Sequence, residues 1–139
     1  MNILDIYRGF LDIPAVGVIK KTRKNRTPRN LDEILHNRAD ECFCAIFGIR
    51  FRSQSLFCTG NIEVAKKYGS AAKIMPIGNY EVCWSSKCSD FIEIEDSCLS
   101  VEEFIIENEY QTGRINEAIE SGNEIMIFCD SYEILSHEK

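Results

Sequence analysis

Two apolar runs near the end of the chain, Glu124–Phe128 and Ser131–Leu135, are separated only by Cys129 and Asp130. The stretch "GNEIMIFCDSYEIL", Gly122 to Leu135, reads as a strand, a tight turn and the start of a second strand, a closing strand pair. Similar strand-like runs recur upstream, and few are joined by helices in regular alternation. That pattern points to one α+β domain with mixed or antiparallel sheets and helices packed on them. It also leaves one oddity. Glu124, a carboxylate, opens a run whose next four residues are all apolar.

The remaining elements follow from local signals. "AVGVIKKTR" (15–23) begins with β-branched residues and reads as a strand, and "NRTPRN" is a loop broken by Pro28. "NLDEILHNRADECFCAIFG" reads as a helix, with Asn30 as its cap, Asp32 and Glu33 in the positive first turn, and Gly48 as its stop. "IRFRSQSLFCTG" (49–60) reads as extended, and "NIEVAKKYG" as a short helix closed by Gly69. "AAKIMPIGNYEVCWS" supplies strand on both sides of a turn or bulge at Pro76 and Gly78. "DFIEIED" alternates with period two, like a half-buried strand. In "SVEEFIIENEYQTGRINEAIESG", Ser100 and Glu103 form a capping box opening a helix that breaks near Gly113.

The 139 residues suit a single domain, 1–139, and an apolar fraction of 45% is enough for a core. The net charge of −6 argues against a nonspecific hold on nucleic acid. The charge is uneven: "KKTRKNRTPR" (20–29) carries only basic charges, while the second half is acidic. No secretory leader and no run of the ~20 apolar residues that a membrane span needs are visible, so the expectation is a cytoplasmic protein without membrane contact. The seven cysteines lack a C-x2-C pair, and the two histidines, His36 and His137, are remote from them in sequence. Most of the cysteines therefore read as small buried apolar residues.

Phosphate-loop, G-x-G-x-x-G and G-x-S-x-G motifs are absent. His137, close to the end, and His36, within a helix, are poor partners for a nucleophile. Three features remain, each at a strand–loop junction. They are the basic strand end around Arg23, the small polar strand end "LFCTGN", and Glu124.

In that order the three features resemble the ADP-ribosyltransferases, within them the cholera- and pertussis-toxin-like arginine/serine/glutamate class. "TRKNRTPRNLDEI" is similar to the class's first-strand arginine, followed by Arg and Pro and then by acidic residues opening a helix; Arg23 takes the first position and Arg26 the next. "LFCTGNIEVAKKYG" is similar to its Ser-Thr-Ser strand and short helix, with Cys58, Thr59 and Gly60 in place of Ser-Thr-Ser. "GNEIMIFCDSYEIL" aligns Glu124 with the catalytic second glutamate, while Gly122 replaces the first Glu or Gln. The similarity spans about Val18 to Leu135.

The resemblance implies NAD as substrate, and transfer of ADP-ribose to an intracellular macromolecule, a protein rather than a nucleic acid. It also implies a toxin-like or counter-defence role in a bacterial or phage setting. Glu124 would stabilise the charge that develops on the ribose, as in glycoside cleavage. Arg23, with Arg26 in reserve, would hold the pyrophosphate through its planar fork. Thr59 and Cys58 would brace the glutamate and ribose, and Phe57, Tyr68 or Trp84 would stack on a ring. Two departures, Cys58 and Gly122, keep other readings open: hydrolysis of NAD with water as acceptor, or an inactive module of the same fold that binds a nucleotide or a protein partner. The acidic balance also raises imitation of nucleic acid.

Overall fold

The computed structural model describes residues 4–28 and 31–138. Its elements run β1 (Tyr7–Phe10), β2 (Ile19–Lys21), α1 (Glu33–Phe47), α2 (Phe51–Gln54), β3 (Leu56–Thr59), α3 (Ile62–Lys66), β4 (Ser70–Ile77) and β5 (Glu81–Trp84). A 3-10 helix (Phe91–Asp96), α4 (Val101–Glu107), β6 (Gln111–Thr112), α5 (Ile115–Ser121), β7 (Glu124–Phe128) and β8 (Ser131–Glu138) complete the order. Among the described residues the strands form one eight-stranded sheet, β2-β8-β4-β1-β3-β7-β5-β6, in which every pairing is antiparallel.

The closing strands do not pair with each other. Between β7 and β8 in the sheet stand β3, β1 and β4. Four strand steps at about 4.8 Å need roughly 19 Å. Three Cα steps from Phe128 to Ser131 span at most about 11 Å. A flat sheet cannot satisfy both. The short link from β4 to β5, residues 78–80, also crosses four steps. The sheet therefore folds over between β1 and β3, where the ladder is reduced to Tyr7↔Thr59. One half is β2-β8-β4-β1 and the other is β3-β7-β5-β6.

The cores follow from that fold. Ala72, Ile74, Tyr132 and Ile134 of the first half meet Leu56, Val82, Trp84, Ile125 and Ile127 of the second. The other face of β5 and β7 offers Cys83 and Met126 to a second cluster, built with Phe43, Phe51, Phe91, Phe104 and Tyr110 of the helical cover. With both faces buried, β7 cannot alternate with polar residues, which explains its unbroken Ile-Met-Ile run. On the first half, α3 covers Tyr7 and Ala71 through Ala65.

Three local readings change. Within 49–60 the chain makes α2 before β3, because Phe51 turns into the aromatic cluster, its ring 6.2 Å from that of Phe43. The alternating "DFIEIED" is the 3-10 helix, opened by a capping box of Asp90 and Glu93; a three-residue period buries Phe91 and Ile94 together. β4 runs on through Pro76, which is tolerated because β1 pairs only with Ser70–Lys73 and asks nothing of Pro76. The cap expected at Asn30 lies outside the described residues; α1 is capped by Asp32, which accepts from the Ile34 and Leu35 amides. The Ser100–Glu103 capping box opens α4 as read, and α4 and α5 are separate helices on either side of Gly113. Five cysteines are buried, Cys44 is half-buried and Cys98 is exposed. No helix among the described residues is long and apolar enough to cross a membrane.

Gly60 ends β3 against α5: a Cβ there would stand 2.1 Å from the Ile119 carbonyl oxygen. Gly60→Ala should therefore force backbone apart and lower stability by about 1–3 kcal/mol. A shift of the urea midpoint, at unchanged slope, measures it.

Candidate active site

The splay between β1 and β3 opens a cleft of about 280 Å³, lined from both halves of the sheet and by α2, α3 and the 3-10 helix. Its floor is set by register. Thr59 lies directly opposite Glu124, and Phe57 opposite Met126. Since side chains alternate along a strand, Phe57, Thr59, Glu124 and Met126 share one face. Where the strands part, the Arg8 guanidinium donates to the Phe57 carbonyl at 3.0 Å, supplying the donor that a ladder amide would have given.

Glu124 is held through one oxygen. Its Oε1 accepts from Arg52 Nη1 at 3.0 Å and from the Phe91 amide at 3.4 Å. The side chains of this ion pair are 6% exposed at Arg52 and 15% exposed at Glu124. The guanidinium of Arg52 also rests 4.4 Å from the Phe57 ring centroid and 5.0 Å from that of Phe91. Arg26 lies 4.3 Å from the same Phe57 ring. Such contacts are worth about 0.5–2 kcal/mol each where water is excluded. Burial pushes the Glu124 carboxyl above its ordinary range, and Arg52 works against that rise.

The predicted residues divide. Arg26, Phe57, Cys58, Thr59, Tyr68 and Glu124 all line the cleft. Arg23 does not. It is exposed between Thr22 and Lys24, which bond to the Asp130 and Cys129 carbonyls. That is the far end of β7 from Glu124, roughly 13 Å away along the strand. Arg23 cannot serve Glu124 as a neighbour, because the strand it was expected to end, β2, is an edge strand paired to β8 and reaches only the Phe128 end of β7. Trp84 is buried between the sheet halves and donates to the Gly113 carbonyl, so it has no face for a ligand. Phe57 lies in the cleft as a platform for two guanidiniums. Thr59 spends its hydroxyl on the Gly122 carbonyl (3.0 Å) and the Asn61 amide (3.1 Å); Arg52 and the Phe91 amide brace Glu124 instead. The Cys58 thiol is buried and pushed up to about 12, with burial as the first cause. Tyr68 keeps its place at the cleft, its hydroxyl donating to Asp90 at 2.6 Å.

Two arginines and a histidine were missed. Arg8 stands in "YRGF", whose signal was Gly9: a Cβ there would meet the Ala65 carbonyl oxygen at 2.2 Å, so β1 and α3 touch beside it. Arg52 stands in "FRSQSLF", where Phe57, one of the two rings under its guanidinium, follows five residues later. His36 is buried, with Nε2 at 3.1 Å from the Arg26 carbonyl oxygen; burial, then the charge of Arg52, lowers its proton affinity. The Nε atoms of Arg8 and Arg52 are buried without a partner among the described residues. Buried donors without acceptors are rare, and these flank one cleft.

No protein-family model, no curated protein and no solved structure matches this chain.

The ion pair sets a pH dependence. A buried carboxyl with raised affinity binds protons more readily folded than unfolded, so its contribution to stability falls as pH rises above the ordinary carboxylate range. Arg52→Met removes the positive charge that opposes the carboxylate in that contact and should cost about 3–5 kcal/mol at pH 7. The loss should be smaller at pH 5, because burial favours the neutral carboxyl and Arg52 no longer opposes it. Arg52→Met combined with Glu124→Gln should recover most of it at pH 7. Urea denaturation of the three proteins at both pH values tests this.

Proposed function

We propose that the protein is an ADP-ribosyltransferase that uses NAD and modifies an intracellular macromolecule, with Glu124 as its catalytic residue. The observation that carries the reading is the meeting, in one cleft, of a shielded carboxylate with three guanidiniums. Cleavage of the nicotinamide–ribose bond puts positive charge on the ribose as nicotinamide leaves with the bonding pair. The acceptor then bonds to the ribose carbon and gives up its proton.

This chain's residues suit those demands. Glu124 Oε2 accepts no hydrogen bond among the described residues, which keeps one oxygen for a ribose hydroxyl while Oε1 is fixed. A negative charge held in a poorly hydrated cleft favours a developing cation more strongly than it would in water. The pyrophosphate would be met by Arg26 and Arg52, with Arg8 at the splayed strands. A guanidinium fork suits it, and the Nε donors of Arg8 and Arg52 match an anion. Arg23, outside the cleft, takes no part in this reading. Tyr68, 38% exposed, is the aromatic left to cover a ring.

A second reading, a nucleotide-binding module without catalysis, is favoured by the Arg52–Glu124 contact, which engages the carboxylate that the reaction needs. Labelled NAD, incubated with the protein and a cell lysate, separates the two. Transfer of label that drops about 100-fold or more in Glu124→Gln supports the enzyme. Equal turnover in both proteins removes Glu124 from catalysis. Binding of NAD without turnover supports the module. Arg26→Ala should raise KM more than it lowers kcat.

A further inference from the structure

His36 and Asp40 lie four residues apart on α1, one above the other on its buried face, and both are polar. Neither is spent on its own helix. Asp40 Oδ1 accepts from the Ser53 amide at 2.9 Å, and Oδ2 from the Ser53 hydroxyl at 2.6 Å. Ser53 belongs to α2, whose own N-cap residue, Arg50, supplies no side-chain cap. Asp40 thus caps from a neighbouring helix the short turn that carries Arg52. Arg50 closes on the same carboxylate at 3.5 Å.

The connection continues into the basic loop. The Ser53 carbonyl accepts from the Arg26 amide at 2.9 Å, and His36 Nε2 meets the Arg26 carbonyl at 3.1 Å. A carbonyl only accepts, so that nitrogen carries the proton. Both backbone polar groups of Arg26 are therefore tied, one through Ser53 to Asp40 and the other to His36. The two arginines so held are those whose guanidiniums share the Phe57 ring. We propose that His36 and Asp40 are positioning residues that hold Arg26 and Arg52 as a paired clamp for a diphosphate. That the diphosphate belongs to a dinucleotide rests on the reading above; the clamp itself rests on these contacts.

Inorganic pyrophosphate, titrated calorimetrically into the full chain well below its melting temperature, isolates the clamp from any NAD chemistry. The wild type should bind it. His36→Leu and Asp40→Asn should each weaken binding about tenfold or more, the scale set by losing a buried hydrogen bond. His36→Gln, whose amide can still donate to the Arg26 carbonyl, should restore affinity. Ser53→Ala, which keeps the amide bond and loses the hydroxyl, should fall between, and it stands in if Asp40→Asn fails to fold. In parallel NAD assays His36→Leu, which loosens Arg26 and leaves the Arg52–Glu124 contact in place, should show a raised KM with kcat little changed. A merely structural role would lower the melting temperature and leave pyrophosphate affinity alone; that result overturns the proposal, as does a wild type that ignores pyrophosphate. Pyrophosphate binding that weakens as described, in a protein that never turns over NAD, upholds the clamp and sinks the transferase.

Discussion

The architecture depends on two connections too short for the strands they join. Residues 129–130 and 78–80 each bridge strands four places apart in the sheet. Chain geometry alone then requires the sheet to fold, and the fold line falls where β1 and β3 share a single paired position. An apolar layer fills the inside of the fold, and helices cover the outside of β5 and β7. Closing such links is inexpensive in entropy because they are short, but it demands that every strand between them be in place. The cleft is the gap left on the fold line, so its existence belongs to the topology rather than to any one side chain.

What fills that gap is an assembly of charges that burial alone would forbid. Arg52 is nearly inaccessible, and an isolated ion in such a place is unstable by several kcal/mol. It is tolerated because Glu124 neutralises it and two aromatic rings take the hydration shell's place. Phe91 contributes twice, once as a ring and once through the amide that reaches Glu124. The aromatic cluster of Phe43, Phe51 and Phe91 holds those rings still, coupling the packing of the helical layer to the electrostatics of the cleft.

The class of fold was legible in the sequence because it rests on local pattern: short apolar runs, turn residues and capping boxes such as Ser100–Glu103. Glu124 was legible because a charge at the head of an apolar strand needs an explanation. Its arginine partner was not. Arg23 stands in a conspicuous basic run, whereas Arg52 stands outside it, and only the fold brings a residue 72 positions away to the carboxylate. "DFIEIED" misled because a period of two sets Ile92 and Ile94 on one face, whereas the period of three that forms sets Phe91 with Ile94; the Asp90–Glu93 capping box decides between them. The closing strands were correctly placed, but nothing local says that a tight turn can join strands which never touch.

Cys58 lines the same cleft as Glu124, and its thiol is held protonated, with a titration point pushed up to about 12. Thiolates, not thiols, attack electrophiles. A free thiolate on this wall would react with any electrophile that entered the cleft. Burying the sulfur on the apolar side of β3 leaves the site with a quiet wall. The residue at the serine's place in the strand is thus a buried thiol without nucleophilic character.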